Sequence, residues 1–200
     1  MMTYYCEMNS VRHINIMHGE KLFHILDSFF SFHKCYVWDE HYLKVFQKLH
    51  AAKEQFIVEQ PPFFYELKQL SCNKGHGFKY FLDGTESINE ILNITKQVKS
   101  KFNDLILRAH PLHTDCKRLE NFKINFENPH LVAINDSIKN SEYVCAKCST
   151  VLYKGYLMGK KVVIDDMTDP LLFNQLIDMD YIMFSKEYIK LSDLLSLSVN

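Results

Sequence analysis

Residues 142–166, EYVCAKCSTVLYKGYLMGKKVVIDD, contain the pattern from which the fold of this chain is predicted. An apolar strand over 143–146 is followed by a helix over 149–158, and a second apolar strand runs over 161–165. Gly159, directly after the helix, suits a left-handed C-cap. Short apolar strands that alternate with helices are typical of a parallel sheet covered on both faces. The segment therefore predicts an α/β fold.

The same alternation extends outward from this segment. Further strands are predicted at 11–17, 35–38, 55–59, 78–82, 104–108, 130–134 and 181–184. Helices are predicted at 39–49 with Asp39 as N-cap, and at 87–102, 116–122, 137–140, 171–178 and 191–197, with a helical or mixed segment at 22–32. Pro61-Pro62 is expected to stop regular structure, and 71–77 is expected to be a linker. We therefore predict a division into residues 1–72 and a Rossmann-like domain over 73–200.

Composition limits the classes of function. Of the 200 residues, 47% are hydrophobic, and 23 basic and 24 acidic residues leave a net charge of −1. That balance argues against a nucleic-acid partner, since such proteins usually carry a basic excess. We find no apolar stretch of the roughly 20 residues needed to span a bilayer and no signal-peptide pattern. Six cysteines in such a chain are expected to be reduced, which indicates the cytoplasm.

Two motifs at strand ends are candidate phosphate-binding groups, because ligands of parallel sheets bind beyond the carboxyl ends of the strands. His110-Pro111 follows strand 104–108, and its imidazole can donate to a phosphate, with Arg108 as a further source of charge. Ser149-Thr150 opens a helix, where amides and the helix dipole favour an anion. Each motif also has a plain structural interpretation, as a surface histidine before a proline and as an ordinary N-cap.

Other polar motifs lie near predicted strand ends. His18 and Glu20 follow strand 11–17 and are candidate bases, although a strand-ending turn with a solvated histidine is equally compatible. Asp83-Gly84-Thr85 is better explained as a turn. Asp165-Asp166 predicts no metal site, because adjacent carboxylates usually point apart. Cys145 and Cys148 form one CxxC without the second pair that zinc needs, and Cys145 is expected to act as a small hydrophobe.

Three stretches together resemble motifs of the bacterial GT-B glycosyltransferases: INIMHGE at 14–20, LILRAHP at 105–111, and the segment at 142–166. The groups that they resemble are the sialyltransferase/polysialyltransferase type and the CDP-glycerol glycerophosphotransferases of teichoic acid synthesis. The resemblance implies that residues 73–200 are the donor-binding domain and residues 1–72 the tail of the acceptor domain. It also implies a fragment, or a partner that supplies the missing half, because a GT-B enzyme has two such domains.

The resemblance assigns roles to the candidate residues. In these families the His-Pro motif and the Ser/Thr pair contact the phosphates of the donor's cytidine nucleotide, which carries over to His110-Pro111 and Ser149-Thr150. The His-Gly motif of the glycerophosphotransferases is a candidate base, which carries over to His18. The sialyltransferases instead place an acidic pair before a glycine. Leu82-Asp83-Gly84 departs from that pattern, so Asp83 is not assigned this role.

The function implied is transfer of a sugar or related group from a nucleotide-activated donor, CMP- or CDP-linked being favoured, to a glycan or glycolipid acceptor in cell-surface polysaccharide or lipooligosaccharide synthesis. No metal or other cofactor is expected, because helix dipoles and side-chain donors offset the charge of the leaving group. Two alternatives stay open. One is a non-catalytic nucleotide-binding or assembly module, as a homodimer or with a missing-half partner. The other is a sugar-nucleotide epimerase. The expected location is the cytoplasm, at the inner face of the membrane.

Overall fold

The computed structural model describes residues 2–69 and 75–197, so most of the expected linker at 71–77 lies outside the described residues. The chain forms two compact units. The first contains residues 1–65 and 174–185, and the second contains 66–173 and 186–200. The division after residue 65 differs from the predicted one after 72. Residues 174–185, which were expected in the second domain, belong to the first unit.

The first unit is built on a three-stranded parallel sheet in the order β1-β2-β3. Its elements are α1 (Met2–Met8), β1 (Ile14–Ile16), β2 (Lys34–Val37), α2 (Glu40–Lys48), β3 (Phe56–Val58) and the start of α3 (Pro62–Gln69). Helix α2 begins after Asp39, whose carboxylate accepts from the His41 amide at 2.9 Å, as the sequence predicts. The core of the first unit is rich in aromatic side chains. One of them, Trp38, donates from Nε1 to the Met17 carbonyl at 2.8 Å.

The second unit is built on a six-stranded sheet in the order β6-β5-β4-β7-β8-β9, with every neighbouring pair parallel. Its elements are β4 (Phe78–Phe81), α4 (Ile88–Lys99), β5 (Ile106–Arg108), α5 (Cys116–Asn121), β6 (Phe126–Glu127), α6 (Ile134–Lys139), β7 (Tyr143–Ala146), α7 (Thr150–Leu157), β8 (Lys161–Ile164), the start of α8 (Pro170–Asp178), β9 (Ile189–Lys190) and α9 (Leu191–Ser196). The α/β fold with a Rossmann-like parallel sheet is thus confirmed.

Three of the local predictions are wrong: two predicted strands and one predicted interruption of regular structure. The predicted strand at 130–134 is instead a turn at 129–132 followed by the start of α6, because the Asn128 side chain accepts from the His130 amide at 2.9 Å and the Asn128 carbonyl accepts from the Leu131 amide at 3.1 Å. Residues 182–185 form a 3₁₀ helix, since a short buried apolar run does not distinguish a strand from a helix. Pro62 starts α3 instead of stopping regular structure, because the first helical position needs no amide donor. The segment at 22–32 contains a single 3₁₀ turn at 25–27.

The strand order creates a crevice in the second unit. The chain runs from β4 through β5 to β6 on one side, and then places β7, β8 and β9 on the other side of β4. In such sheets the strand order reverses at a switch point, here between β4 and β7, and ligands bind beyond the carboxyl ends of the strands there. Gly155 keeps α7 close to β7, because a Cβ at this position would lie 3.2 Å from Val144 Cβ. None of the helices in the described part of the chain is long and apolar enough to cross a bilayer.

Candidate functional site

A cavity of about 470 Å³ lies at the carboxyl edge of the six-stranded sheet, within the range of roughly 300–1,000 Å³ typical of ligand pockets. Its walls come from the ends of β4 and β5, the start of α7 and the turn before α6. The cavity therefore surrounds the switch point of the sheet. All five donor-site residues predicted from the sequence line it, namely Arg108, His110, Pro111, Ser149 and Thr150.

The imidazole of His110 is held by its own turn. Its Nδ1 accepts hydrogen bonds from the backbone amides of Leu112 and His113, at 3.2 and 3.1 Å. Because Nδ1 is an acceptor, the neutral ring carries its proton on Nε2, which makes Nε2–H a hydrogen-bond donor. Burial lowers the pKa of His110, and the His113 ring, stacked at 4.5 Å, lowers it further, against the opposing effect of Asp83. His110 can therefore donate to an anion without a full charge of its own.

Ser149 and Thr150 begin helix α7 as the sequence predicts. The Ser149 hydroxyl accepts from the Val151 amide at 3.3 Å, so the ordinary N-cap interpretation is confirmed. Ser149, Thr150 and Val151 also line the cavity, which places the start of the helix against it. The first turn of a helix presents amides that have no partner within the helix and the positive end of its dipole. Capping and an anion site are therefore compatible here.

Arg108 lines the cavity, but its guanidinium is committed to the protein. Nη1 donates to the Glu127 carboxylate, and Nη2 donates to the Val132 carbonyl at 2.8 Å. Lys79 donates to the other oxygen of Glu127 at 2.7 Å. Burial opposes ionisation of Glu127, but hydrogen bonds from Lys79, Ser137 and Arg108, together with the charge of Lys79, outweigh it and lower its pKa. Arg108 therefore joins β5 to β6 and to the turn before α6, a role that the sequence does not reveal.

A second buried ion network holds the loop after β4. Lys147 Nζ lies 3.0 Å from the Asp83 carboxylate and 3.4 Å from that of Glu86, and it donates to the Thr85 hydroxyl at 2.9 Å. Burial opposes the charge on Lys147, but these acidic partners outweigh it and raise its pKa. Gly84 packs so closely that a Cβ there would lie 2.4 Å from His113 Cβ. Asp83 thus belongs to a turn, and that turn supports the loop that carries His110.

The remaining acidic and thiol motifs have structural partners. Asp165 accepts from the Tyr80 hydroxyl at 2.5 Å, whereas Asp166 accepts from the Ser192 hydroxyl at 2.5 Å, so the two carboxylates serve different neighbours. Cys145 is fully buried in β7, and burial raises its thiol pKa well above the usual value. No group of three or more potential metal ligands occurs among the residues that the structure describes.

Lys154 is a residue of this cavity that sequence reasoning missed. It lies one helical turn after Thr150 on α7, and both line the cavity. Burial lowers the pKa of the Lys154 ammonium. The spacing of four residues places these two side chains on one helix face, which is the signal that would have found it.

The two predicted catalytic residues lie in the first unit, at the end of β1. His18 is exposed and borders a cavity of about 120 Å³, whose lining residues do not include Glu20. Glu20 is half-buried, but its Oε1 is fully buried and has no hydrogen-bond partner among the described residues. Burial raises the pKa of Glu20 to about 7, and a hydrogen bond with Tyr181 opposes the shift. His18 and Glu20 therefore do not share this cavity.

Comparison with solved structures shows the same architecture. A variant of the wall teichoic acid polymerase TagF superimposes with a TM-score of 0.55 at 9% identity, over 92% of this chain and 58% of that one. A Listeria monocytogenes protein assigned as a UDP-N-acetylglucosamine 2-epimerase gives 0.53 at 10% identity, over 86% and 56%. The complex of S. aureus MnaA with UDP gives 0.50 at 12% identity, over 81% and 52%.

These likenesses show that the chain has the Rossmann-like GT-B fold. The chain spans between 52% and 58% of the length of these three structures. No protein-family model matches the sequence, and no curated protein matches it.

Proposed function

We propose that the second unit binds a nucleotide-activated donor in the cavity at the switch point. The protein is then a glycosyltransferase-like component of cell-surface polysaccharide or lipooligosaccharide synthesis, and it transfers a sugar or related group. The observation that carries the proposal is the meeting of His110-Pro111 with the start of α7 in one cavity. Two independent anion-binding features at one switch point favour a phosphorylated ligand.

The electrostatics of the lining support an anionic ligand. Among the described residues, the cavity is lined by Arg108, His110 and Lys154 and by no Asp or Glu, and the charge of Arg108 is already paired with Glu127. The helix dipole and the Nε2–H donor of His110 add to this positive balance without needing a metal. The MnaA neighbour was determined with UDP, which is consistent with a nucleotide in a fold of this type. CMP- and CDP-linked donors are the first candidates.

The acceptor side of the proposal rests on the first unit. His18 is the candidate base for a glycan or glycolipid acceptor, and Glu20 is the second candidate because its raised pKa suits proton transfer near neutral pH. We place the protein in the cytoplasm at the inner face of the membrane, where a lipid-linked acceptor would be met. The proposal also includes a partner, either a separate chain or a second copy of this one, that supplies the missing half of the acceptor side.

A sugar-nucleotide epimerase is the second candidate, because the Listeria neighbour is assigned that activity. Incubation with a panel of nucleotide sugars, followed by nuclear magnetic resonance, separates the two. Release of the free nucleotide only when an acceptor is added supports transfer. A changed sugar with the nucleotide still attached supports epimerisation. Binding without either product supports a non-catalytic module.

The binding proposal is tested by calorimetry with CMP, CDP and UDP compounds. His110→Ala removes the Nε2–H donor and is expected to weaken binding about tenfold, since a hydrogen bond to a charged group contributes about 1.5 kcal/mol. His76→Ala is the matched control, because His76 is exposed and lies just before β4, at the opposite end of the sheet. Absence of binding by the unaltered protein across the panel contradicts the proposal.

A further inference from the structure

The turn after β5 holds the His110 imidazole in one orientation. Its Nδ1 accepts from the backbone amides of Leu112 and His113 at 3.2 and 3.1 Å. The turn also closes on the backbone of His110, whose amide donates to the Thr114 hydroxyl at 2.8 Å and whose carbonyl accepts from the Thr114 amide at 3.3 Å. Only a deprotonated Nδ1 can accept hydrogen bonds, so the turn selects the neutral ring with its proton on Nε2.

His113 supports this imidazole in a second way. The His113 ring stacks on that of His110, with the ring centroids 4.5 Å apart and an angle of 16° between the planes. The loop after β4 limits the movement of His113, because a Cβ at Gly84 would lie 2.4 Å from His113 Cβ and 2.7 Å from its carbonyl oxygen. The described lining of the cavity includes His110 but not His113, so His113 can act on a ligand only through its neighbour.

Protonation of His110 is incompatible with this turn. An imidazolium has two N–H donors and no acceptor, so Nδ1–H would face the two amides that now donate to it. The new charge would also lie 4.5 Å from a second imidazole, and neighbouring like charges disfavour each other. The ring or the turn must then change its conformation, and Nε2–H leaves the position that the turn gives it. Burial and His113 both lower the pKa of His110, which agrees with a neutral ring.

Other charged groups support this turn or line the cavity with it, and they are further potential sources of pH dependence. They are Asp83, Glu86, Lys147, Arg108, Glu127 and Lys154. Of these, Asp83 favours the charged form of His110, against the effects of burial and of His113. All of them are present in a His110→Ala variant, so this variant separates their titration from that of the imidazole.

We propose that His113 is a positioning residue that fixes His110 as a neutral hydrogen-bond donor, so that the cavity binds a phosphorylated ligand more weakly as the pH falls from 8 to 5. A simple contact between histidine and phosphate gives the opposite dependence, because an imidazolium attracts an anion more strongly than a neutral ring does. This inference rests on the proposed function, because it assumes that the cavity binds a phosphorylated ligand.

Calorimetry with CDP-glycerol and UDP-N-acetylglucosamine between pH 5 and pH 8 tests the proposal. Both phosphates of each probe are esterified, so the charge of the probe is constant over this range. The unaltered protein is expected to bind about tenfold more weakly at pH 5 than at pH 8, which corresponds to the loss of one hydrogen bond to a charged group. His110→Ala is expected to bind weakly throughout the range, without this dependence.

Two substitutions test His113 itself. His113→Phe keeps the stacked ring and the backbone amide but cannot be charged, so we expect unchanged affinity at pH 8 and a loss of affinity that begins at a higher pH. His113→Ala removes the ring and is expected to bind about threefold more weakly at pH 8. His76→Gln, at an exposed position just before β4, controls for the loss of one imidazole. Circular dichroism at each pH confirms that the variants are folded.

The outcomes separate this inference from the proposed function. If the unaltered protein binds neither probe at any pH, the proposed function is wrong. If binding tightens or stays constant as the pH falls, only the inference is wrong. The same pH dependence in His110→Ala would assign the titration to another group and would also overturn it. Equal affinities of His113→Ala and His113→Phe at pH 8 would show that the His113 ring does not position the imidazole.

Discussion

The two sheets of this molecule differ in how their strand ends are supported. In the second unit, the loops after β4, β5 and β7 are tied together by Lys147 with Asp83 and by the close contact of Gly84 with His113. In the first unit, β1 is an edge strand, and its Ile14 and Ile16 are 50% and 64% exposed.

This difference bears on the proposed role of each unit, which is donor binding for the second and catalysis for the first. The described residues that line the cavity of the second unit all belong to that unit, so the proposed nucleotide site can be tested on one unit. Parallel strands are usually buried on both sides, and an exposed apolar edge is a surface that favours pairing with another chain. The strand that carries the catalytic candidates of the first unit is therefore less supported by neighbouring elements than the strand ends around the cavity of the second unit.

The largest expected effect is a loss of stability when an ion pair that supports the strand ends of the second unit is removed. Arg108→Met leaves the buried Glu127 with Lys79 and removes the donor to the Val132 carbonyl, so we expect a loss of about 3–5 kcal/mol in the free energy of unfolding. Lys21→Met in the first unit removes a more exposed ion pair with Asp27 and is expected to cost less than about 1 kcal/mol. Urea denaturation followed by far-ultraviolet circular dichroism compares them, and equal losses would contradict the distinction.

The next effect concerns the first unit and depends on pH. The folded-state pKa of Glu20 is raised from 4.5 to about 7, so between these values the native protein binds more protons than the unfolded chain. The contribution of Glu20 to stability is therefore most favourable below pH 4.5, becomes less favourable as the pH rises towards 7, and is least favourable above it. Glu20→Gln removes this titration and is expected to stabilise the first unit by about 3 kcal/mol at pH 8, and far less at pH 5.

Trp38 makes this prediction measurable in the first unit alone. It is the single tryptophan of the chain, and it is buried in that unit. Urea denaturation followed by its fluorescence at pH 5 and pH 8 gives the two free energies. A stabilisation by Glu20→Gln that is the same at both pH values would show that the carboxyl does not titrate near neutral pH.

The smallest expected effect is a difference in stability between alanine substitutions of one glycine in each unit. Gly84→Ala places a methyl group at a positive φ of 89° and against His113, and it is expected to cost about 2 kcal/mol. It should also weaken nucleotide binding, since the His113 ring stacks on His110. Gly19→Ala meets nothing within 4 Å in the first unit and is expected to change stability by less than about 0.5 kcal/mol. Similar melting temperatures for the two variants would show that the loop after β4 yields easily.

Much of the candidate site was predictable because its parts lie at strand ends. The residues after β5 and β7 could be placed at one edge from the parallel pattern alone, and His110 and Ser149 do line one cavity. The turn at 129–132 was not predictable from the apolar run at 130–134, because the Asn128 side chain accepts from the His130 amide and holds the start of that run in a turn. The roles of Arg108 and Lys147 were also hidden, since their partners are distant in sequence.

The sequence by itself determined the local elements and their ends. The signals for these elements act over only a few residues, so they can be recognised in a single sequence. They are the hydrophobic periodicity, the capping residues Asp39 and Ser149, and the glycine after α7. Only the tertiary structure decided that β4 lies between β5 and β7, that residues 174–185 join the first unit, and that Lys154 shares a cavity with His110. These features depend on contacts between segments far apart in the chain, whose free energies are set by packing and burial and leave no mark in the local pattern.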